Sequence, residues 1–140
     1  MKRIYLIISA LLFVGLFSAN SQSYKIIVNQ SNSIGSISIK EASDLFLKKK
    51  TKWANGSPVL PVDLSASSKV RSDLSQYIHK KNTSAIRSYW QQAAFSGTAS
   101  APPEKASDNE VIEYVKKNPG AIGYVSESAT TTGVNIVSIK

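Results

Sequence analysis

The 140-residue chain is long enough for one domain with a real core and too short for two comfortable ones. It has no cysteine, which excludes disulfides, thiolate chemistry and a lipid-modified cysteine anchor. A formal charge of +8 favours anionic partners in general, but the lysines are spread along the chain, so the charge does not mark a nucleic-acid binder.

The chain begins with "MKR", followed by an almost wholly apolar run from Ile4 to Phe17 and then the small residues "SANSQS". This three-part pattern predicts a secretory signal peptide over residues 1–23, with cleavage after Ser21 or Ser23. At about 14 residues the apolar run is shorter than the roughly 20 needed to cross a bilayer, with an uncleaved anchor as the rival reading. The expectation is therefore a periplasmic or secreted domain over residues 24–140 with no integral span after cleavage. Loss of Lys2 and Arg3 lowers its charge from +8 to +6.

Tyr24–Asn29, "YKIIVN", is a β-branched run with the composition of a strand, followed by the loop "QSNSIGS". Ser38 and Glu41 have capping-box spacing, and Ile39, Ala42, Leu45 and Phe46 follow at helical spacing. Lys48, Lys49 and Lys50 then fall at the helix C-terminal end, where cations complement the helix dipole. Asn55-Gly56 breaks the chain, and "VLPVDL" reads as a strand that Pro61 confines to an edge or an end.

Val70, Leu74, Tyr77 and Ile78 mark one face of a second helix. Ile86, Tyr89, Trp90, Ala93 and Ala94 mark a third, with Thr83 or Ser84 as its cap. After the loop "SGTASAPPEKA", Ser107 and Glu110 form another capping box ahead of Val111, Ile112 and Val115; "NPG" stops that helix. "AIGYV" and "VNIVSI" read as strands. Strands separated by helices in this order predict an α/β domain with a largely open sheet.

The stretch "DLSASSKVRSDL", Asp63–Leu74, carries the candidate chemistry. A helix N-terminus has unpaired N–H groups and a partial positive charge, and ligands of open α/β sheets gather at strand-to-helix junctions. Ser65, Ser67 and Ser68 would add hydroxyl donors, and Arg71 could reach back to an oxyanion. The plain alternative is a helix cap by Ser67 or Ser68.

Signals for an enzyme are weak. His79 is the only histidine and reads as an exposed helix residue; no Gly-x-Ser-x-Gly elbow occurs. Asp44, Asp63, Asp73 and Asp108 show no metal-ligand spacing, and Glu110 and Glu113 read as helix-surface residues, so neither a metal nor a cofactor is expected. Trp53, Tyr89, Trp90 and Phe95 read as core or groove fillers.

The segment "YWQQAAFSGTASAPPEKASDNEVIEYVKKNPGAIGYV" resembles the periplasmic phosphate-binding proteins of transport systems and their short relatives, with "NPGAIGYV" its most specific piece. The earlier segment "IIVNQSNSIGSISIKEASDLFLKKKTKWANGSPVLPVDL" is similar to their strand, loop, helix and strand into the anion loop. The resemblance implies one lobe of a type II periplasmic-binding-protein fold, a small open mixed sheet flanked by helices. It also implies inorganic phosphate or a similar oxyanion as ligand, with Ser67 and Ser68 on the hydroxyl positions and Arg71 in the following helix. Three departures stand out: there is room for one lobe only, the loop lacks the family's glycine, and Asp63 lies near the point where an arginine usually precedes the loop. A second copy, or an envelope or transporter protein, would have to supply the other wall. The alternative is an interaction half-lobe that has lost its ligand.

Overall fold

A computed structural model describes residues 23–140, so the leader expectation falls outside the described residues apart from Ser23. Seven strands and four helices build an α/β lobe. They are β1 (Tyr24–Asn29), β2 (Ser36–Ile37), α1 (Ile39–Phe46), β3 (Leu60–Pro61), β4 (Asp63–Leu64), α2 (Lys69–Leu74), α3 (Thr83–Phe95), β5 (Glu104–Lys105), α4 (Asp108–Lys117), β6 (Ala121–Ser126) and β7 (Val134–Ile139). A π-helical stretch, Ser75–His79, continues α2. Among the described residues no helix is long and apolar enough to cross a membrane.

The main sheet has the order β2-β7-β1-β6-β3, with a small parallel pair β4-β5 beside it. β1 runs antiparallel to both of its neighbours, whereas β2 is parallel to β7 and β3 to β6. The unbroken apolar run of β1 explains its central place, since Tyr24, Ile26, Ile27 and Val28 are buried on both faces of the sheet. Pro61 lies in the edge strand β3, where its missing N–H costs no ladder bond. α1 and the α2 region cover the face of Tyr124 and Ile26, with Phe46 edge-on to Tyr124 at 5.7 Å. α4 covers the other face, where Val111 and Val115 crowd against Gly123.

Local signals are visible in the caps. Ser38 accepts from the Glu41 amide and Ser107 from the Glu110 amide, each opening its helix. Gly56 has φ of 86°, the left-handed turn expected of Asn-Gly. Four local expectations are corrected. α3 is capped by Asn82, whose side chain reaches the Ala85 amide, rather than by Thr83 or Ser84. The lysine run lies beyond the end of α1 instead of in its last turn. Tyr77 is 41% exposed and Phe95 91% exposed, so neither fills the core. The two-residue strands β2 and β5 lie in stretches that read as loops, because they are too short to carry a periodic pattern.

The topology points several helix starts the same way. β2 leads into α1, β4 into α2 and β5 into α4, so these helices begin at the carboxyl edge of the parallel strands.

Candidate functional site

The serine loop sits at that carboxyl edge. β4 is held to β5 by Asp63 N–H donating to Pro103 at 2.9 Å and Ser65 N–H donating to Lys105 at 3.0 Å. The chain then turns, with Ser68 N–H donating to the Ser65 carbonyl at 2.9 Å. Ser68 is the N-cap of α2, and its Oγ accepts from the Arg71 amide at 3.3 Å. The plain capping role is therefore filled by Ser68. Ser67 is exposed and Ser65 half-buried, with their hydroxyls 3.4 Å apart. Between Ser65 and Ser72, the amides of Ala66, Ser67, Lys69 and Val70 have no acceptor among the described residues.

Arg71 is placed differently from the sequence expectation. Its side chain is only 10% exposed. Nη1 donates to the Leu64 carbonyl at 3.0 Å and to Glu104 Oε1 at 2.6 Å, and Nη2 lies 3.9 Å from Asp63 Oδ2. The guanidinium thus ties α2 to β4 and β5 and does not stand free beside the loop. The reason is electrostatic: a buried cation needs paired carboxylates and satisfied donors, and Asp63, Glu104 and the Leu64 carbonyl supply them. The cluster of two carboxylates and one guanidinium has a net negative charge beneath the serines.

Tyr124 completes the cluster. Its hydroxyl donates to Asp63 Oδ1 at 2.7 Å and accepts from Leu64 N–H at 3.2 Å. Burial pushes the Asp63 carboxyl up from its ordinary pKa, partly offset by Arg71 and Tyr124, with Glu104 adding to the rise. Burial, then the Asp63 charge, raises the Tyr124 phenol far above its usual range and keeps it a neutral donor. A cavity of about 10 Å³ lies between this cluster and His79, lined by Asp63, Arg71, Ser75, His79 and Trp90 among others. It has room for about one water. An oxyanion at the loop would therefore have to sit on the solvent side.

Sequence reasoning missed Glu104 and Tyr124. Glu104 follows two prolines in a stretch without periodicity, and Tyr124 reads as an ordinary strand aromatic. Neither carries a local signal for an ion-pair partner 33 residues or more distant in the chain.

His79 is also corrected. It is half-buried, its Nδ1 lies 2.8 Å from Ser43 Oγ, and burial, with Lys49 and Lys81, lowers its pKa to about 4. The ring is neutral at pH 7. Among the described residues nothing orients its second nitrogen by a hydrogen bond, so the hydroxyl–imidazole pair lacks the third member of a catalytic relay. No group of three or more His, Cys, Asp or Glu side chains among the described residues could hold a metal.

No protein-family model and no curated protein matches the sequence significantly. Solved structures do match the fold. An ABC-type phosphate transport receptor from Vibrio cholerae superposes with a TM-score of 0.65 at 16% identity, over 82% of this chain and 45% of that one. A putative phosphate ABC transporter substrate-binding protein from Clostridium perfringens, solved with bound phosphate, gives 0.65 at 18% identity, over 84% and 46%. A possible phosphate-binding protein from Planctomyces limnophilus gives 0.62 at 14%, over 84% and 41%. The chain has the fold of a periplasmic-binding-protein lobe and spans less than half the length of these neighbours.

Proposed function

We propose that the chain is an exported solute-binding-like lobe that takes phosphate or a similar oxyanion at the start of α2. Ser65 and Ser67 offer hydroxyls to the ligand, Ser68 orders the loop as its cap, and Arg71 holds β4, β5 and α2 together beneath it. The observation that carries this reading is the run of amides at Ala66, Ser67, Lys69 and Val70 without acceptors among the described residues, beside two solvent-facing hydroxyls. Such a turn into a helix start is an anion-binding concavity. A single wall and a compensated arginine make the binding weak, roughly millimolar, or about 4 kcal/mol.

The test is a titration of the full chain with sodium phosphate, followed by amide resonances, against sodium chloride at matched ionic strength. Phosphate should saturate shifts at Ala66, Ser67, Lys69 and Val70, and Ser65→Ala with Ser67→Ala should weaken the effect. Shifts equalled by chloride, or lying elsewhere, overturn the proposal.

The net negative Asp63–Arg71–Glu104 cluster favours a second reading, in which the lobe has kept its fold and lost its anion. It then acts through a second copy or an envelope or transporter protein. Under this reading the titration is silent, and light scattering reports a dimer or a complex.

A further inference from the structure

The ends of α1 and of the π-helical stretch carry a different surface. Lys48 and Lys49 follow α1, and Lys80 and Lys81 follow the π-helical stretch. The Ser43–His79 hydrogen bond ties these two helix ends together. Lys49 and Lys81 both bear electrostatically on His79. None of the four has a carboxylate partner among the described residues. Asp44, the acidic group felt by neighbouring Tyr89, is already paired with Lys40 at 2.6 Å.

Two observations set this face apart from an ordinary solvated surface. First, Lys48 (φ 56°) and Lys80 (φ 57°) are the only non-glycine residues with positive φ among the described residues. Both occupy the left-handed position past a helix end, where glycine or asparagine is the usual choice. Secondly, the lysines are interleaved with aromatic rings. The Nζ of Lys48 lies 5.9 Å from the Trp90 ring, that of Lys49 5.7 Å from Tyr89, and that of Lys80 4.9 Å from the exposed Tyr77. The helix dipole accounts for a cation at each helix end, but not for two lysines in left-handed backbone set over aromatic rings.

We infer that the face formed by Lys48, Lys49, Lys80 and Lys81 with the exposed Tyr77 docks the lobe on an anionic lipid surface. The chemistry favours lipid over a folded acidic partner. Lysine is a point charge on a flexible stem and suits a fluid layer of phosphodiester headgroups, whereas arginine dominates where a fixed bidentate geometry is read. Tyrosine, apolar in body and polar at its tip, is at home in the headgroup region. The inference is independent of the oxyanion reading, because the two surfaces share no residue.

Sedimentation of the full chain with phosphatidylcholine vesicles, with and without about one-third phosphatidylglycerol, tests it. The readout is the ratio of anionic to neutral binding at low salt, which cancels apolar binding by residues 1–22. Replacing the four lysines by Gln should lower this ratio about tenfold or more. Replacing Lys25, Lys40, Lys105 and Lys140 instead, which removes equal charge, should change it less than about twofold. Lys48→Gly with Lys80→Gly relieves the left-handed backbone, so this variant should be at least as stable as the parent and still bind anionic vesicles less. No preference for anionic vesicles, equal losses in the two lysine sets, or binding to heparin or an oligonucleotide without such a preference would each overturn the inference.

Discussion

Arg71 looks in the sequence like a ligand and stands in the structure as a tie. Removing it would leave Asp63 buried with only Tyr124 as a partner and strip the Leu64 carbonyl and Glu104 of a donor. An uncompensated buried charge is the costly outcome, so Arg71→Ala should lose about 3–5 kcal/mol at pH 7 by urea denaturation. Glu104 is half exposed, and Glu104→Gln should lose only about 1 kcal/mol or less because solvent screens that end of the pair. Similar losses in both variants would show that Glu104, rather than Asp63, is the partner that matters. The residues of the serine loop were legible because hydroxyls before a helix have a local meaning. The partners of Arg71 were not, since an ion pair between β5 and α2 leaves no pattern within either segment.

At the level of elements, the tight seam is between β6 and α4. Gly123 lies in β6 with both faces buried, and a Cβ there would stand 2.7 Å from Val62 Cγ1 and 2.9 Å from Val111 Cγ1. The obstructing atoms are branched side chains locked in the core, so the contact cannot be relieved by a flexible tip. Gly123→Ala should therefore cost about 1–3 kcal/mol through overpacking, read as a lowered urea midpoint with an unchanged slope. An unchanged midpoint would mean that α4 shifts freely on the sheet. Helix starts were read well from the sequence because a serine cap with glutamate at the third position acts within one turn, as at Ser38 and Ser107. The cap of α3 was misplaced by one residue because Asn82, Thr83 and Ser84 are all good caps in sequence, and the end of α1 because turns just beyond a helix depend on what the chain packs against. Tyr89, for example, donates its hydroxyl to the Leu47 carbonyl at 2.7 Å, fixing the exit from α1.

For the whole molecule, the half-buried His79 couples stability to pH. Its folded pKa of about 4 lies below the ordinary 6.5, so the fold favours the neutral ring. Its contribution is fully present above about pH 6.5 and is lost progressively as pH falls towards 4. The shift corresponds to about 2–3 kcal/mol between pH 7 and pH 4. His79→Asn, which cannot take up that proton, should narrow the difference in unfolding free energy between those pH values by a similar amount. A variant that tracks the parent at every pH would place the acid sensitivity elsewhere; Asp73, whose carboxyl Lys69 and Ser23 hold low, loses its contribution at still lower pH.

The sequence by itself determined the α/β class, the starts of α1 and α4, the edge position of Pro61 and the resemblance to a single phosphate-binding lobe, because each rests on contacts between near neighbours in the chain or on an ordered string of motifs. Only the tertiary structure decided that Arg71 is a tie held by Glu104 and Asp63, that His79 is half-buried and neutral, and that the Ser43–His79 bond joins the helix ends that two separate lysine pairs follow. Those facts depend on charges brought together across the fold, where burial and distance set the energy and spacing along the chain says nothing.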